Sequence, residues 1–84
     1  MNTVNWTRKA VKQLLKLHPQ HQTEVRDAVG GLSRMPDCQN VKVLSNHQYG
    51  YRLRVGNYRV LFDWDGGIKV VAVQEVKKRD ERTY

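Results

Sequence analysis

The chain predicts an α+β fold, with two N-terminal helices packed on one face of a small twisted antiparallel sheet. Two observations lead there. Residues 49–76 alternate in hydrophobicity with a period of two and are interrupted by two turn-forming clusters, Gly56-Asn57 and Asp65-Gly66-Gly67. Residues 8–34 instead repeat their apolar positions at helical spacing. With 84 residues, the chain (1–84) is a single domain near the size at which one core is only just adequate.

Residues 2–6 (NTVNW) form a short first strand with Val4 and Trp6 as its apolar contacts. Thr7 is placed to cap a helix over residues 8–17. Its wheel puts Ala10, Val11, Leu14, Leu15 and Leu17 on one side and Lys9, Lys12 and Lys16 on the other. That lysine stripe is either a solvated face, the ordinary case, or a contact for a phosphate backbone. His18-Pro19 breaks the helix, and proline suits the first turn of the next. Val25, Ala28, Val29 and Leu32 then define a second amphipathic helix to Ser33 or Arg34, antiparallel to the first. Gly30-Gly31 weakens its last turn by roughly 1 kcal/mol per glycine, and Met35-Pro36-Asp37 ends it. Residues 41–45 (VKVLS) make the next strand, and Asn46-His47-Gln48 is a polar loop. A meander of three strands completes the sheet. Residues 68–76, apolar on both faces, suit a central or well-covered strand.

The first hairpin fixes a register. With Gly56-Asn57 as its loop, Val55 faces Tyr58 and Arg54 faces Arg59. Leu53, Val55, Tyr58, Val60 and Phe62 then share one face, and Arg52, Arg54 and Arg59 share the other. Like charges directly opposed across an antiparallel pair repel, by a few tenths of a kcal/mol. Either the long side chains splay into water or an anion sits between them. With Arg52 on the same face and Lys77, Lys78, Arg79 and Arg82 in the tail, a phosphate site is the preferred reading. The helices cover the apolar face and leave the basic one open to a nucleic-acid backbone.

Composition agrees. Fifteen Lys and Arg against eight Asp and Glu give a net charge of +7. So basic a small chain meets nucleic acid, an anionic membrane or an acidic protein. A membrane is the weakest of these, since no helix pairs a basic face with spare Trp, Phe or Leu. No transmembrane run and no signal-peptide h-region is present, so a cytoplasmic setting is expected. The single cysteine, Cys38, has no disulfide partner within the chain and stands in no metal-ligand pattern. An unreactive thiol, no metal and no cofactor are expected.

The run Tyr51-Arg52-Leu53-Arg54-Val55-Gly56, followed by Tyr58-Arg59-Val60-Leu61-Phe62 and closing on Lys78-Arg79 and Tyr84, resembles the RelE/ParE superfamily of bacterial toxins from toxin–antitoxin pairs. The resemblance covers the second half well and the helical half only in pattern. It implies the RelE-like fold. On the RelE branch it implies a metal-independent endoribonuclease that cuts messenger RNA in the ribosomal A site and inhibits translation, the messenger's own 2′-hydroxyl attacking the adjacent phosphate. Carried over by motif, Arg52, Arg54, Arg59, Arg79 and Tyr84 are the catalytic set. Lys77, Lys78, Arg82, His47, Lys9 and Lys12 are the expected RNA contacts. Two departures stand out: Arg54 replaces a lysine of some relatives and gives up no proton, and Tyr84 lies one position further from Arg79 than the family pattern.

Tyr84, Lys78 and His47 are the candidates for proton transfer, although a lone loop histidine such as His47 is more often simply solvated. Tyr51 and Tyr58 belong to the core first and to base stacking second. The implied partners are the ribosome with its messenger and an acidic, partly disordered antitoxin, with DNA bound only through the toxin–antitoxin complex. Two alternatives remain: a ParE-like poison of DNA gyrase acting by protein–protein contact, and a non-catalytic RNA-binding module.

Overall fold

The computed structural model describes residues 1–78. Arg79, Arg82 and Tyr84 lie outside the described residues. The order is β1 (Thr3–Trp6), α1 (Arg8–Leu15), α2 (Pro19–Gly30), a 3-10 turn (Gly31–Arg34), β2 (Val41–Val43), β3 (Tyr51–Val55), β4 (Tyr58–Asp65) and β5 (Val70–Lys78). The five strands form one sheet in the order β1-β5-β4-β3-β2.

Thr7 caps α1 as its chemistry requires, its Oγ1 accepting from the Ala10 N–H at 3.1 Å. The apolar wheel of α1 divides more narrowly than its sequence suggests. Ala10 and Leu14 are buried and Leu17 packs on the core, but Val11 and Leu15 face outward. An eight-residue helix lying on one strand covers only a narrow stripe, so its flanks stay wet. Proline opens α2 and the glycine pair marks where the α-helix tightens into the 3-10 turn.

The sheet is mostly, not wholly, antiparallel. β1 runs parallel to β5, with Val4 beside Val71 and Trp6 beside Val73. Both helices and three strands intervene between them, so no tight turn dictates antiparallel pairing. The parallel register places Val4 and Trp6 against the core, where the helices lie. Beyond Trp6 the open edge of β5 is satisfied by α1. The Thr7 hydroxyl donates to the Gln74 carbonyl (3.2 Å), and the Val76 N–H donates to Gln13 Oε1 (2.7 Å).

The β3–β4 register is the one the hairpin implies, including Arg54 opposite Arg59. Gly56 takes φ +54°, which only glycine adopts readily at the first central position of such a turn. In the second turn the positive φ falls on Lys69 (57°) rather than on either glycine. Gly66 is needed for another reason: a Cβ there would come within 2.9 Å of the Trp64 ring. Asp65 Oδ1 organises this turn by accepting from the Gly67 and Ile68 N–H groups (2.8 and 3.2 Å). Ile68, expected in the last strand, is therefore exposed in the turn.

The core gathers Val25, Val29, Leu32, Leu53, Val60, Phe62, Val71, Val73 and Val76 between the helices and one sheet face. Tyr51 stacks on Phe62 (5.4 Å between ring centres), and Tyr58 packs at the core edge with its hydroxyl bonded to His21 Nδ1 at 2.8 Å. Phe62→Ala is expected to lose about 3–5 kcal/mol of stability, whereas Val43→Ala, at an exposed edge, should stay within about 0.5 kcal/mol. Urea denaturation of both variants checks this. Comparable losses would contradict the core placed here.

Candidate functional site

Cross-strand pairing arranges the second face of the sheet into rows. Arg54 of β3, Arg59 of β4 and Lys77 of β5 stand in register across three strands. In the adjoining row, Lys42 of β2 faces Arg52, Arg52 faces Leu61, and Leu61 faces Glu75. Five cations and one carboxylate thus share these two rows. Neighbouring residues of a row have Cβ atoms about 5 Å apart, so their positive potentials overlap.

The carboxylate is on this face because of a bulge. Leu61 pairs with Glu75 and Phe62 with Val73, so Gln74 has no counterpart. Without the extra residue, strict alternation would continue the Val71–Val73 series by sending Glu75 into the core. The bulge sends Val76 inward instead, where it is buried, and turns Glu75 to the arginine side.

Glu75 is nonetheless buried, at 6% exposure. Lys9 Nζ lies 3.3 Å and Lys77 Nζ 3.9 Å from its Oε1. Burial pushes its carboxyl up, but the Tyr49 hydroxyl, Lys9, Lys77 and Gln13 outweigh that and hold it below the ordinary carboxylate range. The same contact acts on Tyr49. Burial, then its hydrogen bond to Glu75 and that group's charge, raise the phenol. Tyr49 is therefore a neutral donor near pH 7 and not a base.

The loop that carries Tyr49 is pinned at its end. The Gly50 N–H donates to Asp63 Oδ1 at 2.8 Å, and Gln74 Nε2, the bulged residue, donates to Asp63 Oδ2 at 3.2 Å. His47 Nδ1 accepts from the Tyr49 N–H at 3.1 Å. With Nδ1 so engaged, a neutral His47 ring carries its proton on Nε2 and offers a donor there, not a base.

Several residues anticipated from the sequence meet on this face and others do not. Arg52, Arg54, Arg59 and Lys77 share it, and Lys9 reaches it from α1 through Glu75. Arg52 is half-buried, and its Nε has no hydrogen-bond partner among the described residues, an unused donor inside a cationic surface. Lys12 is exposed on α1. Lys78 pairs with Tyr58 on the helix side of the sheet, across from Lys77. Arg79, Arg82 and Tyr84 fall outside the described residues. Three contributors escaped sequence reading: Lys42, whose partner strand was needed to assign its face; Tyr49; and Glu75. A bulge in a valine-rich strand leaves no local sequence mark, although one carboxylate in residues 68–76 was a usable signal. Cys38 is half-buried, its thiol donating to the Gly31 carbonyl at 3.3 Å and pushed up by burial. Among the described residues no group of His, Cys, Asp and Glu is placed to hold a metal, and no helix is long and apolar enough to cross a membrane.

Known structures share this architecture. A chain of the toxin–antitoxin complex RelBE2 from Mycobacterium tuberculosis is 31% identical, with TM-score 0.79 over 93% of this chain and 98% of that one. A chain of the archaeal RelE–RelB complex from Pyrococcus horikoshii is 25% identical, with TM-score 0.81 over 95% and 97%. The isolated RelE toxin of E. coli, at 17% identity, shares the fold with TM-score 0.79 over 96% and 87%. The fold is thus that of the RelE/ParE toxin superfamily. Residues 4–83 match the family described as the ParE toxin of the type II toxin–antitoxin system parDE, and the chain belongs to that family. No curated protein matches the sequence.

Because the folded Glu75 titrates below its unfolded value of about 4.3, its contribution is complete above that value and is lost as pH falls through the folded one. Stability measured by urea between about pH 6 and pH 3 should fall less steeply in Glu75→Gln than in the parent protein. Equal slopes would show that Glu75 gains nothing from its ionised contacts.

Proposed function

We propose that this toxin acts as an endoribonuclease that cuts messenger RNA on the ribosome without a metal, and that a cognate antitoxin, acidic and partly disordered, neutralises it by covering the arginine face. The observation that carries the reading is the cationic row Arg54–Arg59–Lys77 beside Arg52. Attack of a 2′-oxygen on the neighbouring phosphorus forms a 2′,3′-cyclic phosphate and releases the 5′-oxygen, which takes a proton. Negative charge accumulates on the phosphoryl oxygens during that exchange. Guanidinium groups fixed by strands stabilise it without reorganising, the largest single contribution in many enzymes.

Arg52, Arg54 and Arg59 are assigned to that task, and Arg79 is added to them by the motif alone. Lys9, Lys12, Lys42, Lys77 and Arg82 supply backbone attraction. Of the three residues considered for proton transfer, Lys78 belongs to the helix side, and His47 has its Nδ1 engaged. Tyr84 is the remaining assignment.

A second reading has its own support. The family that the chain matches is named for ParE, so poisoning of DNA gyrase by protein contact is the competing activity. The two are separable after induced expression. Primer extension on a translated messenger should show discrete cuts that require translation, and Arg59→Ala should reduce them by about a hundredfold, the usual effect of removing one transition-state donor. The double variant Arg59→Ala Arg79→Ala should abolish them. Growth arrest with intact messenger and accumulating DNA breaks would reject cleavage in favour of gyrase.

A further inference from the structure

We propose that the 46–50 loop is a stacking platform for one unpaired nucleobase of the RNA gripped by the arginine face, with Tyr49 and His47 as its rings and Asp63 as its positioning residue. The inference rests on the RNA reading above and names how that site would hold a base as well as a backbone.

Sites that bind single strands without a duplex to read combine a cationic track for phosphates with aromatic rings for bases. The track is the pair of rows described above. Beside it, the Tyr49 and His47 ring centres lie 6.1 Å apart at 46°. The rings are therefore not stacked on each other, and neither uses up the other's π face. His47 is exposed and Tyr49 half-exposed. Core packing does not explain the placement of Tyr49, which is absent from the apolar cluster that holds Tyr51 and Tyr58.

What fixes the loop is unusual for a surface turn. His47 Nδ1 accepts from the Tyr49 N–H at 3.1 Å, which ties the two ring-bearing residues to each other. One residue later, the Gly50 N–H is held by Asp63, which Gln74 holds in turn. The bulged residue Gln74 thus secures the loop through Asp63. A ring held this way loses little freedom when a base lands on it, which favours binding. Neutral Tyr49 also brings no negative charge toward the phosphates, and the Glu75 charge that would do so is answered by Lys9 and Lys77.

The test is a fluorescence titration of the purified toxin against a short single-stranded RNA, 2′-O-methylated throughout so that it cannot be cut, and carrying 2-aminopurine at successive positions. Stacking quenches that base. The parent protein should bind and quench one position. Tyr49→Ala should lose that quench and about tenfold in affinity, whereas Tyr49→Phe, which keeps the ring, should retain the quench. His47→Ala should weaken the quench with the fold untouched, its side chain being exposed. Asp63→Ala should weaken the quench and Asp63→Asn, which keeps an acceptor for the Gly50 N–H, should restore it, a rescue that general loosening of the fold would not give. Binding that Arg52→Ala weakens but Tyr49→Ala leaves fully quenched would overturn the platform alone. No binding by the parent protein would overturn the RNA reading together with it.

Discussion

One extra residue in β5 decides what each side of this sheet is. Up to Val73 the strand alternates valines into the core; after the bulge at Gln74 the alternation resumes out of phase. Val76 completes the packing under α1 while Glu75 enters the face that carries Lys42, Arg52, Arg54, Arg59 and Lys77. A carboxylate that would have been an unpaired charge in the apolar layer becomes the counter-ion of the cationic one. Burying a charge without partners costs several kcal/mol, and burying it among cations and donors removes most of that cost. Gln74 then reaches Asp63, which holds the Gly50 N–H, so the bulge also sets the loop at the rim.

The arginine face itself is not arranged for stability. Arg54 opposite Arg59, Arg59 opposite Lys77 and Lys42 opposite Arg52 each set like charges side by side. A sheet under no other demand would alternate signs there. Glu75 relieves one end of the cluster, through Lys9 and Lys77. On the reading proposed above, phosphate diesters and the acidic side chains of an antitoxin compete for the same guanidinium geometry, and inhibition follows by simple occlusion.

The hairpin was fully legible in the sequence, because alternation plus Gly56-Asn57 admits one register, and that register places the arginines together. The helices were legible in position and less so in extent: Val11 and Leu15 fit an apolar wheel but lie beyond the strip that one strand can cover. Strand β1 read as a strand from Val4 and Trp6, but a short apolar run carries no direction, and its parallel pairing emerges only from the whole sheet. Glu75 and Lys42 were hidden for a related reason. Their faces depend on partners far along the chain and, for Glu75, on a bulge. Membership of the toxin family followed from the strand motif, whereas the choice between RNA and gyrase does not follow from fold, since the chain matches the ParE family and shares its fold with a RelE toxin.

The most direct measurement is amide chemical-shift mapping of the isotopically labelled toxin titrated with a short single-stranded RNA. Perturbations should concentrate at residues 42, 52–59 and 77 and in the 46–50 loop, weaken steeply with added salt, and spare the exposed side of α2. Perturbations confined to the helices, or none at low salt, would contradict the assignment of the arginine face as the site that meets RNA.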